Sequence, residues 1–373
     1  SILLFAFRYA CIFLRIFFQT QHVAQIMPLV DAPTIQLDQS LMQGIAAFFS
    51  MSDGLIFDQN GDHWCIWHAG QLQHWWRLYG EKVDSPMGRK LANAAVEQES
   101  WQLNHTNFSS IKGLFRSKKQ QRWLENRWDT LGWGKPNIKD LSLQNKLLSS
   151  LSAGSLHAIF ELMNQTRFRL RWEDRGSHAC KLMLDETNYP YQEPVAPPSF
   201  AWSSKMNATS SSLNLEVEEG FVVDGERLCL LPSGLFDRLL DSSAGIEIEI
   251  DENLWHIDIE SFENSAGLVA LAEASKAQFL DTEQHILVMN PEDWMGVCQQ
   301  ILASKGYSMP HSVTGIDAHG GVEIIFESCP FLFICLGVLA GAWQRAEGRP
   351  VKTSCKGVDG KFFITLESFH ELA

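Results

Sequence analysis

The chain has 373 residues, 45% of them hydrophobic and 20% charged, which supplies material for a sizeable core and excludes wholesale disorder. Its formal net charge of −14 argues against a nucleic-acid partner, because neutralising phosphates needs a basic surface. The eight cysteines show no Cys-x-x-Cys and no paired spacing, so a reducing, cytoplasmic setting is expected rather than a disulfide scaffold.

Residues 1–34 open with SILLFAFRYACIFLRIFFQTQ, an apolar run interrupted by Arg8 and Arg15. Each arginine would cost roughly 2.5–3.5 kcal/mol near mid-bilayer. A signal peptide would carry its charge before the apolar core and small residues after it, and neither is present. Three readings stand: an interfacial anchor, part of a longer chain, or residues encoded upstream of a start at Met27, the last being favoured. A membrane role is expected only if residues 1–18 belong to the protein.

Self-comparison divides the rest. Residues 53–72 match 219–236, placing Cys65 with Cys229 and Gly70 with Gly234. Residues 128–136 match 302–310, placing Gly132 with Gly306, and 167–185 match 349–367. Three matches in the same order predict two similar domains, 35–186 and 213–373, joined by a Pro/Ser-rich linker at 187–212.

In chain order, HWCIWH (63–68) predicts a strand with His63 and Cys65 on one face and His68 on the other. The three could be metal ligands. However, Arg227, Cys229 and Pro232 hold the matching positions, so the histidines are not part of the shared pattern. In the second half, GFVVD and RLCLL around Asp224-Gly225 predict a hairpin, and a short helix follows at 233–242. The alternating IEIEIDENLWHIDIE (246–260) predicts a strand, and helices are expected at 265–281 and 291–305. Then come a strand at VEIIFES, the apolar segment 329–343 and a hairpin turning at 358–360.

That apolar segment, CPFLFICLGVLAGAW, is too short to span a bilayer, which takes about 20 apolar residues. Pro330 suits a first turn and Gly348 a helix stop, so a buried core helix is expected. Its counterpart at 151–166 is amphipathic and carries His157 and Glu161. The predicted class is α+β: two tandem similar domains, each with helices packed on one face of an antiparallel sheet.

The strand, the segment 329–343, the run Gly-Arg-Pro-Val (348–351), then Cys355 and a Gly/Asp-containing hairpin resemble the 4-vinyl reductase domain. The match is close over 300–367, looser over the second half, and weakest in the first. The resemblance implies a sensor-type domain, related in fold to haem-nitric-oxide-binding domains and vesicle-tethering subunits, with a pocket between helices and sheet. Trp294, Phe331, Phe333 and Trp343 would line that pocket. In some members of the family three cysteines and a glutamate hold zinc. Cys329 and Cys355 stand at the first two cysteine positions, but Lys352 replaces the glutamate and Phe363 the third cysteine. A lysine in an anionic cage repels the ion, so neither zinc nor another cofactor is expected.

Nine of the thirteen tryptophans fall before the linker, suited either to an aromatic pocket or to core packing. Residues 35–187 hold 18 basic against 16 acidic side chains, and 213–373 hold 9 against 26. The halves could dock through opposite potentials, 112–122 and 167–175 against 247–263, or leave each face solvated. No nucleophile elbow, zinc-protease, phosphate-loop or dinucleotide motif is present, and Asp317 and His319 read as a turn.

The leading expectation is a non-catalytic protein that binds a small hydrophobic or aromatic ligand. The alternative is a structural or tethering module that takes a protein partner or a second copy, and third is a reductase-related accessory enzyme. A cavity of a few hundred Å³ inside either half would favour the ligand. A filled interior with an exposed apolar patch would favour tethering.

Overall fold

The computed structural model describes residues 36–83, 85–203 and 210–370, so the apolar leader lies outside the described residues. Helices and mainly antiparallel sheets make it an α+β protein. No described helix is long and apolar enough to cross a membrane.

The first half runs α1 (Gln39–Phe48), β1 (Phe49–Ser52), β2 (Leu55–Asp58), β3 (His63–His68), α2 (Ala69–Lys82), α3 (Gly88–Asn104), α4 (Arg116–Leu131), β4 (Lys135–Asn137), β5 (Ser142–Gln144), α5 (Ser149–Asn164), β6 (Thr166–Asp174) and β7 (Ala179–Pro190). After β8 (Ser211–Ser212), the second half runs β9 (Val222–Val223), β10 (Glu226–Pro232), α6 (Ser233–Ser242), β11 (Trp255–Ile259), α7 (Ser265–Leu280), α8 (Asp293–Ile301), β12 (Ser312–Gly315), β13 (Val322–Phe326), α9 (Leu332–Glu347), β14 (Val351–Val358) and β15 (Lys361–Ser368).

Local chemistry sets these boundaries. Asp38 and Asn264 cap α1 and α7 by accepting from Leu41 N at 2.9 Å and Gly267 N at 3.2 Å. Gly132 and Gly348 stop α4 and α9 in the left-handed conformation, at φ 70° and 68°. The expected turns at 224–225 and 359–360 have positive φ at all four residues, which joins their strands tightly. In α9, residues 332–343 are all buried, so the apolar run is a core helix.

The sheet orders β4-β5-β7-β6 and β12-β13-β15-β14 are the same, and β11 adds to the second by pairing parallel with β14. A helix, α5 or α9, covers one face of each. At the helix pairs α3/α5 and α7/α9, a Cβ on Gly154 would lie 2.3 Å from Ala92 O. One on Gly337 would lie 2.1 Å from Ala272 O. Both glycines therefore allow backbones to approach at matching places.

The halves are not separate domains, because Asp38–Ala373 form one compact unit. A six-stranded sheet, β8-β1-β2-β3-β10-β9, runs through both, with β3 antiparallel to β10 and Ile66 opposite Leu230. Cys65 faces Leu231 and Trp67 faces Cys229. Since self-comparison matches Cys65 with Cys229, it matches Ile66 with Leu230, and a local pseudo-twofold axis passes between them. The surroundings follow it. Trp133 Nε1 donates to Leu230 O at 2.7 Å, while Tyr307 Oη lies 3.5 Å from Ile66 O. Gly132 sits against Leu228 O and Gly306 against Trp64 O, so each half closes over the strand of the other.

Three expectations change. The linker boundary falls inside β7, Trp202 is buried against Phe200 and Phe262, and Ser211–Ser212 pair with β1, so part of 187–212 is integral to the fold. Residues 246–250 pair with no described strand, although Ile246, Ile248 and Ile250 pack on the core. Alternation there records one buried side of an extended segment. Third, the contact between halves is apolar at its centre. Ion pairs such as Lys82–Glu273 at 3.2 Å and Arg238–Glu97 at 3.1 Å cross it, but none among the described residues joins 112–122 or 167–175 to 247–263.

Candidate functional site

Phe331 and Phe333 both pack on Phe236, in a cluster of buried rings. Phe333 lies 5.1 Å from Phe236 and 5.7 Å from Trp75, and Phe331 lies 5.8 Å from Tyr307. Trp67 continues the cluster at 5.3 Å from Trp75, and Trp75 donates to Ser275 Oγ at 3.0 Å. These are ordinary separations for packed rings, so the rings occupy the centre and join the halves. Trp343 is elsewhere, donating to Gly320 O at 2.8 Å beneath Arg349, and Trp294 is buried in α8. The four expected lining residues are therefore core residues, and only two of them come together.

Cys329 has Cys335 as a hydrogen-bonding neighbour and Cys355 within electrostatic reach, and sequence spacing did not indicate Cys335. All seven described cysteines are free and buried. Burial pushes the Cys355 and Cys229 thiols up to about 12 and Cys180 to about 11, and it raises Cys329 and Cys65 further. Among the described residues no His/Cys/Asp/Glu group could hold a metal ion. Lys352 points away toward Glu367 at 3.8 Å. Since all seven are buried and the thiolate is the reactive form, iodoacetamide near pH 8 should leave these seven cysteines unmodified in the native protein, for want of access, and alkylate them in urea. Peptide mass mapping checks this, and native labelling of Cys329 or Cys355 would contradict it.

The histidines of 63–68 also separate. His63 is buried beside Phe57, whereas His68 Nδ1 lies 3.0 Å from Glu226. Burial, and then Lys305, hold His68 below its ordinary range, and Glu226 opposes them. His157 and Glu161, carried by the helix read as amphipathic, are both buried. Glu161 accepts from Phe168 N at 2.8 Å and lies 3.1 Å from both His157 Nε2 and Arg167 Nη1. This carboxylate ties the end of α5 to the start of β6, and a side chain that anchors a strand must turn inward.

Among the clefts formed by described residues, four of about 470–570 Å³ are lined without Trp294, Phe331, Phe333 or Trp343. One of about 560 Å³ lies between α3, α5 and the segment after β7, lined by Phe108, Arg116, Gln120, Met163 and Tyr191 among others.

Beside it stands the most exposed apolar pair of the first half. Leu114 is 80% and Phe115 71% solvent-accessible. Gly113 (φ 87°) and Phe115 (φ 65°) both adopt the left-handed conformation, which costs a bulky residue about 1–3 kcal/mol and turns the chain sharply into α4. Arg116 anchors the turn by donating to Met163 O at 3.4 Å. In α4 the buried stripe is Gln120, Leu124, Trp128 and Leu131, leaving Lys118, Lys119 and Arg122 exposed. Lys112 is exposed too, and among the described residues no carboxylate pairs with any of these four cations. In the sequence the run 112–122 stands out by its charge, and the apolar pair within it gives no signal of its own. No protein-family model, curated protein or solved structure matches this chain.

Proposed function

We propose that this protein is a non-catalytic interaction module of the tethering kind, two similar halves locked into one core and working through the surface. The observation that carries this reading is the use of Phe331 and Phe333 in the centre that joins the halves, while Leu114 and Phe115 stand in solvent among cations that pair with no carboxylate of the described residues. An exposed apolar patch outside a packed aromatic centre is the arrangement of a protein that binds other surfaces. The resemblance to the 4-vinyl reductase domain is retained as a proposal on the residues of 300–367, and the free buried thiols suit a reducing, cytoplasmic setting.

Native mass spectrometry of the protein as purified tests it. The expected spectrum is the mass of the polypeptide alone or in multiples. A hydrophobic small molecule retained at one per chain would overturn the reading in favour of a ligand-binding sensor.

A further inference from the structure

The loop entering α4 and the loop entering α8 hold matching places in the two halves, and both expose apolar side chains. In the second, Leu287 and Met289 are 80% and 81% accessible, with Glu283, Glu292 and Asp293 as neighbours in the chain. Asp293 accepts from Met289 N and Asn290 N, which holds its carboxyl below the ordinary range and keeps that tip anionic. In the first, the charged residues next to Leu114 and Phe115 in the chain, from 112 to 122, are all cations: Lys112 and Arg116 within the turn, and Lys118, Lys119 and Arg122 over the next turns of helix.

The arrangement opposes local stability in two respects. Cations at a helix N-terminus meet the positive end of the macrodipole, and α4 has no acidic residue in its first turn and no side-chain cap. Two large apolar side chains in water gain nothing from the fold, since Leu114 and Phe115 lie outside the core. A surface that is apolar at its tip and anionic at its level would reverse both. The boundary between headgroups and acyl chains of an anionic bilayer has that layering.

Resting on the tethering reading, we propose that residues 112–122 are a membrane-contact tip for anionic lipid. Leu114 and Phe115 enter the headgroup–acyl boundary, and the flanking lysines and arginines sit at the phosphates. The chain's net charge does not prevent this, because charges more than a Debye length of about 10 Å away are largely screened at ordinary salt. The tip in the second half lacks the cations and faces no such surface.

The test is co-sedimentation of the full chain with vesicles of phosphatidylcholine alone or with about one third phosphatidylserine. Binding should be at least about tenfold tighter on the anionic vesicles. It should fall by about tenfold in Leu114→Ser/Phe115→Ser and in Lys118→Glu/Lys119→Glu. Leu287→Ser/Met289→Ser should bind as the parent does. Circular dichroism of each variant checks folding, and every substituted side chain is exposed. Equal binding to both vesicle types, or parent-like binding by both tip variants, overturns the proposal. So does a parent that ignores vesicles yet holds an acidic polypeptide through Lys118 and Lys119; the tethering reading then stands with a protein partner. A stoichiometric ligand in the native spectrum would sink that reading itself, whatever the vesicles do.

Discussion

Gly337→Ala is expected to destabilise the protein by about 2–3 kcal/mol, although helix propensity alone would favour alanine by about 1 kcal/mol. The added methyl would lie 2.1 Å from Ala272 O and 2.6 Å from Ser275 Cβ, and neither yields unless α9 and α7 separate. Gly154→Ala should behave alike, against Ala92 O at 2.3 Å. Gly341→Ala is the milder control, since its nearest neighbour is the Phe279 ring edge at 2.9 Å, on a side chain that can shift. Urea denaturation of the three variants gives the order. A stabilised Gly337→Ala would mean that the helices do not cross as described.

Trp75→Ala is expected to cost about 3–5 kcal/mol, the usual range for removing a fully buried large aromatic. Trp75 stacks on Tyr79 at 5.7 Å and 7° within the first half, touches Phe236 and Phe333 of the second, and donates to Ser275. Its removal opens a cavity between the halves and leaves a buried hydroxyl without that donor. Circular dichroism against urea measures the loss. Trp76→Ala, in which the neighbouring residue is only partly buried, should lose much less. A Trp75→Ala variant as stable as its parent would show that the centre is loosely packed, and would return the ligand-pocket expectation.

Several elements were legible because their signals are local. The turns at Asp224-Gly225 and Asp359-Gly360, the helix at 233–242 and the burial of 332–343 follow from turn residues, caps and hydrophobic runs. The match of Gly132 with Gly306 also pointed to something real, since both meet strand carbonyls of the opposite half. Self-comparison does not say where matched segments lie relative to one another. Cys65 and Cys229 would align equally well in two separate domains or in paired strands, so β3 beside β10 was not readable. The same limit hid the packing partners of Phe331 and Phe333, because Trp75 and Phe236 lie about a hundred residues or more away in sequence. The burial of His157 and Glu161 was not legible for a different reason. Polar residues on a helix usually mark its wet side, but here Glu161 faces a backbone N–H and an arginine at the start of β6. The tip at 114–115 was hidden because two apolar residues in a basic loop carry no periodicity.

The claim on which the account rests is that the halves share one cooperative core. Hydrogen exchange of the Gly337→Ala protein, compared with its parent, tests it most directly when followed at Leu170 and Leu182 in the β6–β7 hairpin of the other half. An interlocked core opens these amides only by global unfolding, so their protection should drop by the same free energy that urea denaturation assigns to the substitution. Unchanged protection at Leu170 and Leu182, with loss confined to residues 213–370, would show two independent domains and contradict the account.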